Sequence, residues 1–486
     1  MLLSQILDGV TIDGTISQNY DITSIELDSR NVVRGGLFIA LSGKMQDGKK
    51  YIPDALQKGA SVIVYDGEYD VPPSTSVFVR LKGDMRENIA KMAANFYRNM
   101  PPLISAVTGT NGKTSIADFT RQMMKALGYN AASIGTVGVV SDVMDNIETL
   151  TTPDSITLHK ILSNLSEKGV DYVSMEASSV GIEQYRMDGI NIKVAGFTNF
   201  TQDHLDYHLT MEDYFEAKKQ LFSRLLTKGS TAVLNADIKE FAELEAVCRE
   251  RGIEVVSYGF KGNDLRIINR VPHADGQTLE LSVQGVHYTV DLPLIGEFQA
   301  MNILCAVGMV MALNGGFDQK IIEYLPHIKG ACGRLDRVGA LPNGAAVYVD
   351  YAHTPDALEN VLKTMREHTS GRLWVVFGCG GDRDKLKRPI MGRIASELAD
   401  KIVVTDDNPR TEDAVQIRRE ILAECPEAQE IGDRIAAIEY AISHLQTGDM
   451  LVLAGKGHET GQKIGNIVIP MNDIAEAERL LAKYSK

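Results

Sequence analysis

The sequence predicts an α/β protein of three domains, and two observations carry this prediction. First, short apolar runs with the length of buried strands alternate with segments of helical periodicity over most of the 486 residues. Second, a proline pair at 101–102 and a small-residue stretch at 330–334 interrupt that alternation. We therefore expect a small α/β domain at residues 1–100, a central domain with a parallel sheet at 101–330 and a Rossmann-like domain at 331–486.

The first domain is predicted from two buried strands, at 37–41 and 61–65, and from helices that flank them. Two polar clusters lie between the predicted elements: Leu27-Asp28-Ser29-Arg30 and the stretch 43–48. From the residues alone, both clusters are interpreted as turns.

The central domain is organised around the stretch 103–127, which has the pattern of a strand, a glycine loop and a helix. Such a connection gathers backbone N–H groups at the positive end of a helix, which suits a triphosphate. The loop predicted to bind ATP is Gly109-Thr110-Asn111-Gly112-Lys113-Thr114-Ser115. Within it, Lys113 would reach the β- and γ-phosphates and the Thr114 hydroxyl would bind Mg²⁺. The general spacing of phosphate loops places a glycine at position 107, where this chain has valine.

Two further strand ends of the central domain carry candidate metal ligands. The strand 172–175 ends in Glu176, which is a candidate for binding Mg²⁺ beside the phosphate loop, with an ordinary surface acid as the alternative. The strand 194–198 opens onto a loop with two histidines and two aspartates among residues 203–208. This loop is either part of a ligand crevice or a solvated turn.

Two lysines interrupt the apolar face of the predicted helix 211–226. They are Lys218 and Lys219, and one of them would point toward the metal site unless both extend to solvent. Residues 264–292 shift to an alternation of apolar and polar side chains, seen at 278–283 and 287–290, which predicts a β-hairpin appendage. A helix at 298–313 follows, with Asn302 near its start.

The third domain has four predicted strands that each end in a polar or glycine-rich loop. The carboxyl ends of parallel strands meet at one edge of a sheet, so the four loops are expected to form one ligand crevice. The loops are Asp350-Tyr-Ala-His-Thr-Pro355, Gly378-Cys-Gly-Gly-Asp-Arg-Asp384, Asp406-Asp-Asn-Pro-Arg410 and Gly455-Lys-Gly-His-Glu459.

The bulk properties limit the classes of function. The net charge of −14 argues against general nucleic-acid binding and requires any anion site to be built from local basic residues. The five cysteines are odd in number, far apart and without a CxxC motif, so we expect buried free thiols in a reducing compartment. The N-terminus lacks a signal-peptide pattern and no apolar run approaches the length of a membrane span, which predicts a cytoplasmic protein. We expect it to be a monomer, although no pattern in the sequence reports the oligomeric state.

Several motifs, taken in chain order, make nearly the whole chain resemble the Mur ligase family. They are the short-spaced phosphate loop, which accounts for the departure at 107, Met-Glu-Ala-Ser-Ser at 175–179, Asp-His-Leu-Asp-Tyr-His at 203–208, Gly-Arg-Leu-Asp-Arg at 333–337 and Asp-Tyr-Ala-His-Thr-Pro at 350–355. Asp407-Asn-Pro-Arg410 is similar to the motif of members that add meso-diaminopimelate to UDP-N-acetylmuramoyl-L-alanyl-D-glutamate. The resemblance implies an ATP-dependent ligase of peptidoglycan and cell-wall synthesis, which acts through an acyl phosphate.

The resemblance also implies roles for individual residues. The first domain would bind the UDP-sugar, the central domain ATP, and the third domain the amino acid, with Asn408 and Glu459 facing the far ammonium group of diaminopimelate. The implied substrate-binding residues are Leu27, Ser29, Lys44, Met45, Gln46, Thr151, Thr152, Ser178, Gln184, Arg186, Arg383, Asp407, Asn408, Pro409, Arg410, Gly455 and Glu459.

For the nucleotide and the metal, the resemblance implies a second set of residues. Asn302, Arg334, Asp350 and His353 would join the phosphate loop in binding ATP. Thr114, Glu176, His204 and Lys218 would bind Mg²⁺, with Lys218 carrying CO₂ as a carbamate. The implied catalytic residues are Lys113, Glu176, His204 and Lys218.

Two other interpretations remain at this stage. A lysine-adding member of the same family would share almost all of these motifs. A P-loop kinase or transport ATPase would explain the phosphate loop and Glu176, but it would leave the loops of the third domain without a purpose.

Overall fold

The computed structural model describes residues 1–42, 47–203 and 207–485. The chain forms two compact units: the first comprises Met1–Tyr258 and Cys305–Asp318, and the second comprises Gly259–Leu304 and Gln319–Lys486. Both are α/β structures, so the predicted fold class is confirmed. The three domain boundaries stay a prediction.

The N-terminal part of the first unit is built on a five-stranded sheet with the order β1-β5-β4-β3-β2. Its strands are β1 (Ile12–Asp13), β2 (Ile25–Glu26), β3 (Leu37–Ala40), β4 (Val62–Tyr65) and β5 (Val77–Leu81), and its helices are α1 (Leu3–Ile6), α2 (Ile52–Gln57) and α3 (Met85–Phe96). Every residue of β3 and β4 is buried, as expected for parallel strands covered on both faces. The strands and helices predicted for this region are confirmed.

The rest of the first unit surrounds a larger, mostly parallel sheet. Its strands are β6 (Leu103–Thr108), β7 (Ala131–Gly135), β8 (Gly138–Val140), β9 (Tyr172–Glu176), β10 (Val194–Phe197), β11 (Thr231–Asn235) and β12 (Glu254–Gly259), and its helices are α4 (Lys113–Ala126), α5 (Ser155–Glu167), α6 (Ser179–Glu183), α7 (Met211–Gln220) and α8 (Phe241–Glu250). A π turn at Leu221–Leu225 extends α7, so the predicted helix 211–226 is present with a change of winding. The strand β6 lies between β9 and β10, which places the phosphate loop in the middle of the sheet.

The predicted β-hairpin in the second unit is a three-stranded antiparallel meander. It consists of β13 (Leu265–His273), β14 (Gly276–Val283) and β15 (Val286–Leu292). The helix α9 (Glu297–Leu313) follows and belongs to the first unit from Cys305 onward, and α10 (Gln319–Tyr324) belongs to the second unit. The sequence pattern missed β13 because its register shifts between Ile267 and Asn269, which breaks the two-residue alternation. The helix expected at 298–313 is confirmed.

The C-terminal part of the second unit has a six-stranded sheet with the order β16-β17-β21-β18-β19-β20 and a separate hairpin, β22-β23. Its strands are β16 (Asp336–Ala340), β17 (Ala346–Asp350), β18 (Leu373–Phe377), β19 (Lys401–Val404), β20 (Gln429–Glu430), β21 (Met450–Ala454), β22 (Gly461–Ile464) and β23 (Ile467–Pro470), and its helices are α11 (Pro355–His368), α12 (Lys387–Leu398), α13 (Ala414–Leu422), α14 (Arg434–Ser443) and α15 (Asp473–Tyr484). Apolar residues of α11–α13 cover one face and those of α14 and α15 the other, which is the Rossmann-like arrangement that the sequence predicted.

Two further predictions from the sequence concern the burial of the cysteines and the lack of a membrane-spanning segment. Four of the cysteines are buried, but Cys332 is exposed, so the expectation of five buried thiols is wrong at this position. Cys332 lies in a turn of the segment between α10 and β16. Among the described residues, no helix combines the length and the apolar composition needed to cross a membrane.

Candidate active site

The phosphate loop wraps around its own lysine. Lys113 is the first residue of α4, and its Nζ donates to the carbonyl oxygens of Gly109 (2.9 Å) and Thr110 (2.8 Å). Gly109 and Gly112 have φ values of +142° and +88°, which residues with a side chain rarely adopt. The sequence therefore needs glycine at both positions to form this loop.

The end of the neighbouring strand β10 holds the phosphate loop in place. Asn111 donates its backbone N–H to Asn199 Oδ1 (2.9 Å), and its carbonyl accepts from Thr198 Oγ1 (2.6 Å). Thr110 donates its backbone N–H to the Asn199 carbonyl (2.9 Å). These contacts join the phosphate loop to the end of β10. The sequence analysis did not select Asn199, although its position directly after a neighbouring strand was a usable signal.

Glu176 lies at the end of β9 and contacts the phosphate loop directly. Its Oε1 accepts from Thr114 Oγ1 (2.9 Å) and from the Thr136 backbone N–H (2.8 Å), and its Oε2 accepts from Thr136 Oγ1 (3.2 Å). The side chain is only 2% exposed. Carboxylate and hydroxyl oxygens are the donors that Mg²⁺ prefers, so Glu176 and Thr114 fit this metal. Among the described residues, no group of three or more His, Cys, Asp or Glu side chains converges on a metal position.

The structure distinguishes the two lysines of α7. Lys218 is 1% exposed, and its Nζ donates to the Gly109 carbonyl (2.7 Å) while lying over the Tyr214 ring. Lys219 instead pairs with Glu216 and Glu243. Burial lowers the pKa of Lys218 well below its ordinary value, and the charge of Lys113 lowers it further. Lys218 is therefore a buried amine with a weakened affinity for its proton beside the phosphate loop.

The five residues expected to line the peptide of the substrate form one connected network. Thr152 Oγ1 donates to the Glu176 carbonyl (2.8 Å) and accepts from the Ser178 backbone N–H (3.0 Å). Arg186 donates to the Thr152 carbonyl (2.7 Å) and to Gln184 Oε1 (2.8 Å). Thr151 contacts the Thr136 hydroxyl (3.1 Å). The network is continuous with the Glu176 site, although its role in binding a peptide stays a prediction.

Four predicted residues of the first unit lie outside the described residues: Lys44, Met45, Gln46 and His204. Leu27 is half-buried and Ser29 is buried, in the short connection after β2. Thr136, which binds both oxygens of Glu176, was missed because it lies in the turn between β7 and β8, where no motif marks it.

In the second unit, Asp350, Arg334 and His353 lie around Tyr351. Asp350 accepts the backbone N–H groups of Leu335 (2.7 Å) and Ala352 (2.7 Å). The Arg334 guanidinium lies over the Tyr351 ring at 4.9 Å, and His353 Nδ1 is 2.9 Å from the Tyr351 carbonyl oxygen. Burial raises the pKa of the Asp350 carboxyl, and burial lowers the pKa of the His353 imidazole.

Asn302 is connected to this cluster through a second amide. Asn302 Nδ2 donates to Gln299 Oε1 (3.1 Å), and Gln299 Nε2 donates to the Arg334 carbonyl (3.3 Å). The structure thus links Asn302 and Arg334, two of the residues expected at the nucleotide, through Gln299. Their nucleotide role stays a prediction.

The loops after β19 and β21 meet as the sequence predicted. Asn408 Nδ2 donates to Glu459 Oε2 (2.9 Å), and a Cβ atom on Gly455 would lie 2.7 Å from Asp407 Oδ2. Pro409 is buried, and Arg410 has a φ of +51° with its Nη1 donating to the Gly381 carbonyl (2.7 Å). These residues form one site in the second unit, which we name the β19–β21 pocket.

Among the described residues of the predicted substrate-binding set, Arg383 differs from the others, because it is exposed on the loop 378–384. Two basic residues beneath the loops were missed. Arg388 is completely buried and donates to Glu412 (3.0 Å) and Glu420 (2.7 Å), and Lys456 is also completely buried. Lys456 lies inside the quoted loop 455–459, but a lysine between two glycines gave no sign of its burial.

The first unit has a phosphate loop beside a carboxylate of the kind that binds Mg²⁺, and the second unit has a Rossmann-like sheet with a polar pocket. This combination is consistent with an ATP-dependent ligase. The chain belongs to the Mur ligase family. Family profiles match at residues 21–97 (Mur ligase family, catalytic domain), 107–310 (Mur ligase middle domain) and 333–457 (Mur ligase, glutamate ligase domain).

Within this family, the chain is similar to UDP-N-acetylmuramoyl-L-alanyl-D-glutamate–2,6-diaminopimelate ligases. It is 46% identical over 482 residues to the ligase of Mesorhizobium japonicum, with 99% of both chains covered. It is 48% identical over 463 residues to that of Brucella melitensis, covering 95% of this chain and 94% of the relative. A solved structure of a ligase with this name has a TM-score of 0.70 at 33% identity, with 95% of both chains covered.

A more distant solved structure supports the fold alone. The MurF ligase of Thermotoga maritima in complex with ADP is 19% identical and has a TM-score of 0.64, with 95% of this chain and 97% of the other covered.

The close packing around Gly109 leads to a testable prediction. A Cβ atom at this position would overlap the Thr198 hydroxyl, which itself holds the Asn111 carbonyl. We expect Gly109→Ala to weaken ATP binding about 10-fold or more in titration calorimetry, because the loop must move to relieve the overlap. The matched control is Gly128→Ala, since Gly128 also has a positive φ (+99°) but has no atom within 4 Å of an added Cβ. Equal losses in both variants would contradict this explanation.

Proposed function

We propose that this chain is an ATP-dependent ligase that joins meso-diaminopimelate to UDP-N-acetylmuramoyl-L-alanyl-D-glutamate in peptidoglycan precursor synthesis. One observation carries the proposal. The chain is similar over almost its full length to UDP-N-acetylmuramoyl-L-alanyl-D-glutamate–2,6-diaminopimelate ligases, and it has both a site suited to ATP and a site suited to an amino acid. The first unit has a phosphate loop with Glu176 and Lys218, and the second has the β19–β21 pocket.

The reaction must convert an unreactive carboxylate into an acceptor for an amine. A carboxylate oxygen of the peptide attacks the γ-phosphorus of ATP, the bond to the ADP oxygen breaks, and an acyl phosphate forms. The amine of the incoming amino acid then attacks the acyl carbon, phosphate leaves from the tetrahedral intermediate, and the amine loses a proton. Lys113 would offset the charge of the transferred phosphoryl group, because two anions approach each other in this step.

Glu176 and Thr114 would hold Mg²⁺ with their adjacent oxygens. Bound there, the metal would neutralise part of the phosphate charge. Thr136 would keep the Glu176 carboxylate in position, because it donates to both of its oxygens. The contacts between Asn111, Thr198 and Asn199 would hold the loop in position for the phosphates.

Lys218 is the residue that we propose carries CO₂ as a carbamate. A neutral amine attacks the carbon of CO₂, a nitrogen–carbon bond forms, and one proton is released. The lowered pKa of Lys218 supports this step, because burial and the charge of Lys113 both favour the neutral form of the amine. The product would be an oxygen donor beside the phosphate loop, where an ammonium group would repel Mg²⁺.

The β19–β21 pocket supports an amino acid with charges at its far end. Arg410 supplies a planar cation suited to a carboxylate, and Glu459 supplies a partner for an ammonium group. Among the described residues, the buried Asp407 Oδ2 has no hydrogen-bond partner. A buried acceptor left unpaired is costly, so a ligand that donates to it would bind favourably.

The test of the function is phosphate release, measured with ATP, the UDP-muramoyl dipeptide and a panel of amino acids. We expect release to require all three substrates and to prefer meso-diaminopimelate over lysine by about 10²-fold or more, since lysine would leave the carboxylate partners of the pocket unpaired. Equal use of lysine would support the lysine-adding member of the family. Phosphate release that needs no dipeptide would support a P-loop kinase or ATPase.

The proposed carbamate predicts the behaviour of a Lys218→Ala variant. Ligation should fall at least about 100-fold, because a group that holds the metal is lost, and short carboxylic acids should restore part of it. Labelling with isotopically enriched bicarbonate should give a carbamate signal by NMR in the native protein and none in the variant. Lys219→Ala is the matched control, since Lys219 pairs with acids of its own. Full activity of Lys218→Ala would be incompatible with the role.

Arg410 provides a separate prediction about the amino acid. Arg410→Ala should raise the KM for diaminopimelate by about 10²-fold, because a charge-assisted contact to a carboxylate is removed, while the KM values for ATP and the UDP-dipeptide stay close to native. Arg419→Ala serves as the control, since Arg419 is exposed on α13. A loss that affects all three KM values equally would count against a specific contact with the amino acid.

A further inference from the structure

Lys456 is a charged side chain at the centre of the β19–β21 pocket that is completely removed from solvent. Its Nζ donates to Asn408 Oδ1 (3.1 Å) and to Glu459 Oε2 (3.0 Å). A buried ammonium group is stable only with such partners, since it has lost its hydration. Lys456 therefore joins two residues of the pocket that lie 51 positions apart in the sequence.

These contacts determine which way the Asn408 amide points. Its oxygen accepts two donors, Lys456 Nζ (3.1 Å) and the Lys463 backbone N–H (2.8 Å). Its nitrogen donates to Glu459 Oε2 (2.9 Å). A flipped amide would place its nitrogen against two donors and its oxygen against a carboxylate, which is unfavourable at all three contacts. The orientation is thus fixed by the charge of Lys456 on one side and of Glu459 on the other.

The fixed orientation limits what Asn408 can offer a ligand. Its oxygen is already used twice, and one of its two amide hydrogens is used by Glu459, so a single N–H remains. No described residue accepts that N–H, and Asn408 is only 7% exposed. The remaining group is a donor, which suits a carboxylate and does not suit the ammonium group that the sequence comparison with the family assigned to Asn408. Glu459, whose Oε1 has no partner among the described residues, is the group suited to an ammonium.

We propose that Lys456 is a positioning residue for amino-acid selection, which holds Asn408 as a hydrogen-bond donor and Glu459 as an acceptor for the two charged groups at the far end of the amino acid. This inference rests on the proposed ligase function and adds to it the residue that sets the polarity of the pocket. A second carboxylate on the amino acid would meet the Asn408 N–H. An amino acid without that carboxylate would leave the N–H buried and unpaired.

The test compares two substitutions of Lys456 with a matched control. Lys456→Met keeps the length of the side chain without its donors, Lys456→Gln keeps one amide donor group, and Lys401→Met removes an exposed lysine of the same unit. Steady-state ligation gives kcat and the KM for each of the three substrates. We expect Lys456→Met to raise the KM for diaminopimelate by about 10- to 100-fold, with Lys456→Gln between it and the native enzyme. The KM values for ATP and the UDP-dipeptide should stay within about 2-fold, and Lys401→Met should match the native enzyme.

A double-mutant cycle separates positioning from general loss of structure. If Lys456 acts by orienting the Asn408 amide, Lys456→Met must raise the diaminopimelate KM less in an Asn408→Ala background than in the native chain. The preference for diaminopimelate over lysine should also fall in Lys456→Met. An unchanged diaminopimelate KM in both Lys456 variants, equal rises in all three KM values, or full additivity in the cycle would each overturn the proposal. If Lys456→Met does not fold, the same comparisons with Lys456→Gln decide the matter.

The native enzyme in the same assay keeps the two proposals apart. If the native enzyme does not ligate diaminopimelate, the proposed function is wrong. If it does, and the Lys456 variants retain the native KM, the ligase function stands and only the role of Lys456 is lost.

Discussion

The site in the first unit depends on the parallel register of three strands. In β6, Val107 pairs with Glu176 of β9, and Thr108 pairs with Phe197 of β10. All three strands therefore end at the same edge of the sheet, within reach of the glycine loop. A shift of one residue would turn the Glu176 side chain to the opposite face of the sheet and remove it from Thr114. The register is stabilised by buried side chains along the strands, so the hydrophobic core fixes the position of the polar groups.

The buried cations show how the environment of a group decides its chemistry. Burial alone would lower the pKa of both Arg388 and Arg434. In each case the neighbouring carboxylates outweigh burial, so that the pKa of the guanidinium is raised. Lys218 is buried to a similar degree, yet its hydrogen-bond partner is the Gly109 carbonyl, and the charge of Asp203 is the smallest influence on its pKa. The paired arginines therefore remain charged and structural, whereas Lys218 loses its proton more easily.

The sequence predicted most of what depends on local pattern. The phosphate loop, Glu176 and the loops after β19 and β21 were predicted because each follows a buried apolar run whose end is visible in the sequence. Thr136 was missed, since its contact with Glu176 depends on the pairing of β7 beside β9, which no motif records. The strand β13 was missed because an irregular register hides its alternation. The burial of Lys456 could not be predicted either, because the atoms that surround it come from distant parts of the chain.

The orientation of one amide connects these points to selectivity. A pocket of hydrophobic side chains discriminates weakly between ligands that differ in one polar group, whereas a pocket with a committed donor strongly disfavours a ligand that cannot accept from it. Asn408 is a committed donor only while Lys456 and Glu459 hold opposite ends of its amide. Arg410 alone would attract any carboxylate within its reach, because a cation imposes little demand on the rest of the ligand. A pocket that also presents an oriented N–H and a separate acceptor requires a ligand with a carboxylate and an ammonium group together. The far end of diaminopimelate has both groups, whereas the far end of lysine has the ammonium group alone.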